Sequence, residues 1–150
     1  MRHILGFGNI LHGDDGAGPW ICQLLSQMQL AVDVRIFDVG TRGLDALAVL
    51  TECSEAVLLD ATVPAGSPGL IRNLTAFELE PDIGNDMHHN GLATLLSTLP
   101  LLTDSPPSLR LITIEAANYR RFDQRLSPQV QQSCQQIACM LADEFGVRYR

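Results

Sequence analysis

The sequence predicts an α/β fold, a three-layer sandwich in which a mostly parallel, twisted sheet of about five strands carries helices on both faces. Three observations predict it. Short apolar runs alternate along the chain with stretches whose apolar residues recur at helical spacing. One run, Ala56-Val57-Leu58-Leu59-Asp60, is continuously apolar up to its final acid, as suits a strand buried on both faces. A glycine-rich turn joins the first apolar run to the first amphipathic one, and strand and helix then alternate in the order that requires right-handed crossovers.

Ile4 to Phe7 form the first strand. The turn after it, Gly6-Phe7-Gly8-Asn9-Ile10-Leu11-His12-Gly13-Asp14-Asp15-Gly16-Ala17-Gly18-Pro19, needs glycines because the backbone must turn sharply and take positive φ. Trp20, Ile21, Leu24, Leu25 and Met28 make the stripe of a first helix, with Pro19 in or just before its first turn, since deeper in it would break the hydrogen-bond ladder. Val32, Val34 and Ile36 alternate with polar residues and run into Phe37-Asp38-Val39-Gly40, a second strand with Asp38 at its carboxyl end. Gly40-Thr41-Arg42-Gly43 is a turn, and Leu44, Leu47 and Leu50 follow at helical spacing. The third strand ends at Asp60, at the same sheet edge as Asp38.

Pro64 to Gly69 is a loop before a modest strand, Leu70 to Leu74, which suits an edge. Phe77 to Met87 is acidic, holds a proline and a glycine, and shows no period; a mobile surface loop is expected there, closed by His88 and His89. Leu92, Leu95, Leu96 and Leu99 mark a third helix, and Leu109 to Ile114 a further strand ending at Glu115. Ser127-Pro128 supply a cap and first-turn proline for a last helix reaching about Phe145.

At 150 residues and 46% hydrophobic content, residues 1–150 fit one compact domain with a real core. The apolar runs are far too short for a bilayer span, and the N-terminus lacks a secretory succession, so a cytoplasmic protein with no membrane association is expected. The net charge of −7 disfavours nucleic acid or anionic lipid as a partner. All ten basic residues are arginines, which excludes a lysine Schiff base and the P-loop lysine. Cys22, Cys53, Cys134 and Cys139 form no C-x-x-C pair and are expected as thiols, with Cys134 buried among Val130, Ile137 and Leu141.

A glycine loop at a helix start commonly holds an anion on its backbone N–H groups, but Asp14 and Asp15 would repel one, and the spacing is not Gly-x-Gly-x-x-Gly. Carboxylates there are either caps or cation ligands. In a doubly wound sheet, ligands bind outside the carboxyl ends of the strands, where Asp15, Asp38, Asp60 and Glu115 would stand, with His88 free to approach from the loop before the third helix. Acids converging at one edge repel one another unless a cation sits among them. Oxygen and imidazole ligands with open positions suit an exchangeable metal, either zinc or nickel. Each residue also has a structural role available: Asp15 as a cap, Asp60 bonding a strand end, Asp38 pinning the Gly40-Thr41 turn, and either histidine as an ordinary imidazole. His3 and His12 have no acidic company and are read as structural.

With these residues in place the sequence resembles the nickel-iron hydrogenase maturation endopeptidases. The resemblance rests on Gly6-x-Gly8-Asn9 with Gly13-Asp14-Asp15-Gly16-x-Gly18-Pro19, then Asp38-x-Gly40-Thr41, then Asp60-Ala61, then His88 four residues before Leu92, and it covers residues 1 to about 99. It implies an endopeptidase that removes a C-terminal extension from the [NiFe] hydrogenase large-subunit precursor. Asp15, Asp60 and His88 match the metal ligands, and Asp38 a further acid at the site; the implied chemistry is of aspartyl or metal-assisted type. The implied metal is nickel carried in by the precursor, so that the peptidase alone would have its site empty or holding a surrogate divalent metal. Nothing in the sequence calls for more than a monomer.

The last third departs from the family pattern: Glu115-Ala116-Ala117-Asn118 and Arg120-Arg121 stand where a Gln-Pro pair and a glycine are frequent. Arg120, Arg121 and Arg125 are either a contact for an acidic precursor surface or a solvated loop. Two rivals to the peptidase are a non-catalytic metal-binding or nickel-delivery module on the same three ligands, and a small-ligand domain whose acids are structural.

Overall fold

Alternation along the strands decides which side chains reach which face, and two separate apolar clusters result. The computed structural model describes residues 1–75 and 92–147. Among these, β1 (Arg2–Phe7), β2 (Val34–Gly40), β3 (Glu55–Thr62), β4 (Ile71–Thr75) and β5 (Ser108–Glu115) form one sheet in the order β2-β1-β3-β5-β4. All neighbours are parallel except β4, which pairs antiparallel with β5 at the edge. The helices are α1 (Ala17–Leu25), α2 (Ala46–Leu50), α3 (Leu92–Leu102) and α4 (Pro128–Phe145), with 3-10 turns at Gly13–Gly16 and Gly43–Asp45.

Val57, Leu59 and Ala61 of β3 point to one face, where they meet Ile21 and Leu25 of α1 and Ile137 and Leu141 of α4. Ala56 and Leu58 point to the other and meet Leu50 of α2 and Leu92, Leu95 and Leu99 of α3. The three layers follow directly. Burying a Leu or Ile side chain fully contributes roughly 1.5–3 kcal/mol, so these two clusters are the main hold on the sheet.

Several boundaries differ from what periodicity suggests. Val32 is 91% exposed and precedes β2, because the strand pairs with β1 only from Val34 onward. Leu44 is also exposed: the 3-10 turn at Gly43–Asp45 rotates it away from the face that Leu50 occupies, leaving α2 a short helix. Asp60 lies inside β3 rather than at its end, since the strand continues to Thr62 opposite Glu115. Ser127 precedes α4 but makes no side-chain cap, its hydroxyl being spent elsewhere. The expected loop Phe77 to Met87, with His88 and His89, lies outside the described residues.

Two glycines set where the site can form. A Cβ on Gly18 would meet the carbonyls of Phe7 and Leu59, so α1 can sit this close to β1 and β3 only with glycine there. Gly8 takes φ +128°, and a Cβ on it would run into the Asp15 carbonyl. The loop after β1 therefore folds back tightly and carries Asp14 and Asp15 over the strand's end.

Candidate active site

Asp14 and Asp15 are neighbours in the chain with different surroundings. Asp14 is fully buried and saturated: its Oδ2 accepts from the Ala117 N–H at 2.8 Å, the Asn118 N–H at 3.1 Å and the Ser127 hydroxyl at 2.7 Å, and its Oδ1 accepts from the Ser127 N–H at 2.6 Å. It is a structural pin. Asp15 is 6% exposed; its Oδ2 accepts from the Asn9 N–H at 2.9 Å, and its Oδ1 is buried with no partner among the described residues. Neither carboxylate caps α1. A buried carboxylate oxygen without a donor is costly unless something cationic meets it.

Asp60 is fully buried, and its Oδ1 accepts from the Ala61 N–H at 2.9 Å. The alternation of β3 puts it on the Leu58 side of the sheet, the face that α3 covers, and its register partner is Thr113 of β5. Leu92, four residues after His88, is buried on that same face.

Tyr119 ties the acids together electrostatically. Its phenol is pushed up, first by burial and then by the negative charges of Asp15, Asp60 and Asp14, so it stays a protonated donor among carboxylates. Asp15 and Asp60 thus both act by charge on the phenol of one half-buried tyrosine.

Asp38 points elsewhere. It pairs with Gly6 in register, is exposed, and lies on the α1 face, where with Ile10, Pro19, Trp20, Cys22 and Ile36 it lines a groove of about 380 Å³. Its charge, after burial, helps push the Cys22 thiol up to about 12. It shares the carboxyl edge of the sheet with Asp60 but projects from the opposite face. Glu115 bends away to the loop after β3, its Oε2 accepting from the Ser67 N–H.

Asp15, Asp60 and Asp38 are thus placed, while His88 lies outside the described residues. Among the described residues no group of three His, Cys, Asp or Glu side chains is close enough to hold a metal ion. His3 is buried, its Nδ1 3.0 Å from the Val49 carbonyl, which can only accept, so that nitrogen carries the proton. Asn9, Tyr119, Ala117 and Asn118 were given no role in the site by sequence reasoning, and Ser127, read there as a helix cap, donates to Asp14 instead. Asn9 sits inside the glycine motif and had a signal; Tyr119 and Asn118 lie in an aperiodic loop and had none.

The family model HycI, described as hydrogenase maturation protease, matches residues 20–144. The chain belongs to the hydrogenase maturation protease family. The match takes in Asp38, Asp60 and His88 and begins after Asp15.

Among relatives of this maturation-protease chain, the hydrogenase 2 maturation protease of Escherichia coli (strain K12) is 32% identical over 115 residues, which is 74% of this chain and 70% of that protein. The hydrogenase expression/formation protein HupD of Rhodobacter capsulatus is 26% identical over 131 residues, 85% of this chain; those residues span only 62% of HupD. The solved hydrogenase maturating endopeptidase HybD from E. coli superposes with a TM-score of 0.77 at 27% identity, covering 95% of this chain and 93% of that one. The [NiFe] hydrogenase maturation protease HybD from Thermococcus kodakarensis superposes at 0.80 with 20% identity, covering 96% and 98%, a likeness of fold alone. Among the described residues of the maturation-protease chain no helix is long and apolar enough to cross a membrane.

Proposed function

We propose that this chain is an endopeptidase that removes the C-terminal extension of a nickel-loaded [NiFe] hydrogenase large-subunit precursor in the cytoplasm, recognising the nickel that the precursor brings. The observation that carries the reading is the Asp15 carboxylate, buried with one oxygen fixed by the Asn9 N–H and the other left without a partner among the described residues. Oxygen donors of this kind fit a divalent cation. Asp15 and Asp60 supply two of them, and His88 is the third ligand in this scheme. Nickel, arriving with the substrate, supplies Lewis-acid chemistry, either polarising the scissile carbonyl or lowering the pKa of an attacking water.

The chain's own residues do the rest. Asn9 orients Asp15, and the saturated Asp14 ties the glycine loop to the segment after β5, so that the loop keeps its shape when the substrate's metal arrives. Tyr119, half-buried and protonated, adds no further negative charge to the acids. Asp38 stands at the same sheet edge but projects from the opposite face, so in this scheme it holds the edge in shape rather than taking a proton from a water between Asp15 and Asp60. A precursor without nickel would offer these ligands no anchor and would escape cutting.

Intact-mass analysis of nickel-loaded precursor tests this. Wild-type protein should release the C-terminal extension, while Asp15→Asn and His88→Ala should leave the mass unchanged. A nickel-delivery module would leave it unchanged with the wild type as well.

A further inference from the structure

Beside the glycine loop the chain exposes an aromatic ring on a strained backbone. Phe122 is 86% exposed and sits at φ +60°, a region that a bulky side chain seldom enters. Strain without burial in return points to a task at the surface. The segment is held against the loop after β1 by backbone bonds: the Asp123 N–H donates to the Leu11 carbonyl at 3.1 Å, and the Gly13 N–H to the Asp123 carbonyl at 2.7 Å. There Ile10 and Leu11 are themselves 54% and 42% exposed. Three large apolar side chains therefore stand on adjoining backbone, two of them in the loop that carries Asp15.

Arg120 and Arg121 directly precede the ring in the chain. Both are exposed, and neither has an ion-pair partner among the described residues, whereas Arg125 is engaged by Asp123 at 3.1 Å. In a chain of net charge −7, two adjacent unpaired guanidinium groups make a local positive spot in a negative field. Guanidinium forks match carboxylates in two-point contacts, and arginine and aromatic residues together are what energetic centres of protein interfaces favour.

We propose that Ile10, Leu11 and Phe122, with Arg120 and Arg121, form a docking face for an acidic segment of the protein substrate that also presents an apolar side chain. The proposal rests on the endopeptidase reading and deepens it by adding a second point of recognition beside the acids that meet the metal. Charge complementarity selects the occupant: acidic polypeptide meets the arginines, and its apolar residue covers the ring, whereas nucleic acid would face the repulsion of the whole chain.

Binding of the nickel-loaded precursor, measured directly on the immobilised precursor, tests it. Arg120→Glu/Arg121→Glu and Phe122→Ser should each weaken binding by about tenfold or more, and Arg35→Glu, an exposed arginine on β2, by no more than about twofold. Raising salt should weaken the wild type more than the double variant. In cutting assays the variants should raise KM and keep kcat. Affinities unchanged in the docking variants, or lost equally in Arg35→Glu, overturn the proposal. Precursor bound but uncut by the wild type removes the endopeptidase reading while the variant affinities still judge the docking face; precursor neither bound nor cut removes both.

Discussion

Asp14 and Ser127 are joined twice, the Ser127 N–H donating to Asp14 Oδ1 at 2.6 Å and its hydroxyl to Asp14 Oδ2 at 2.7 Å. With the Ala117 and Asn118 N–H groups added, one buried carboxylate fastens the first turn of the chain to the segment that leads into its last helix. Hydrogen bonds to a charged acceptor contribute about 1.5–3 kcal/mol each and do not add fully, so Asp14→Ala should cost at least about 3 kcal/mol. Ser127→Ala, which keeps the backbone bond, should cost about 1–2 kcal/mol. Urea unfolding of the three proteins gives both numbers. Equal, small losses would mean that the carboxylate is not the fastening.

Asp15→Asn should behave in the opposite way. The amide oxygen can still accept from the Asn9 N–H, so the fold and the melting temperature should change little. The charge offered by the partnerless oxygen is gone, however. Changes to residues that merely support metal ligands lower metal affinity about 10–100-fold, and the loss of a ligand charge should lower precursor processing by more than that. Melting curves beside timed mass spectra of the precursor separate the two effects. A variant that cuts normally would put the acid outside the chemistry.

This contrast shows what a sequence can and cannot disclose. The layers were legible because β3 is apolar at every position between Ala56 and Leu59 and α3 repeats leucine at helical spacing, and these are local patterns. β4 was legible as an edge from its weak apolar content, and among the described residues it pairs on one side only, with β5. The role of Asp14 was hidden because its partners lie 103 to 113 residues away, in a loop without period. The split between Asp38 and Asp60 was hidden for another reason. Both stand near the carboxyl ends of strands, but only the registry of each strand against β1 and β5 says to which face a side chain goes.

Three of the four thiols should divide by burial. Burial first, then the Asp38 charge, pushes Cys22 up to about 12, and burial with the Asp14 charge does the same to Cys134. Only the thiolate attacks an alkylating reagent, and Cys139 is exposed. Iodoacetamide at neutral pH should therefore label Cys139 in the native protein and reach Cys22 and Cys134 only after denaturant is added. Peptide mapping by mass reads this directly, and early labelling of Cys22 would show that the α1 face of the sheet opens.

His3 gives the fold a pH dependence of known sign. Burial lowers its imidazole below the ordinary value of 6.5, and this outweighs the opposing pull of its bond to the Val49 carbonyl, so the folded protein holds the ring neutral, beside Phe37 at 4.9 Å. In the unfolded chain the ring titrates near 6.5, so as the pH falls below about 6.5 the unfolded state binds a proton that the folded state resists. The stabilisation is complete above the unfolded value and declines as pH falls towards the lowered folded one. His3→Gln removes the titrating group, and its amide can still donate to Val49. Urea unfolding at pH 7.5 and 5.5 should show a smaller drop for the variant than for the wild type, and equal drops would mean that the ring is protonated in the folded state as readily as in the unfolded one.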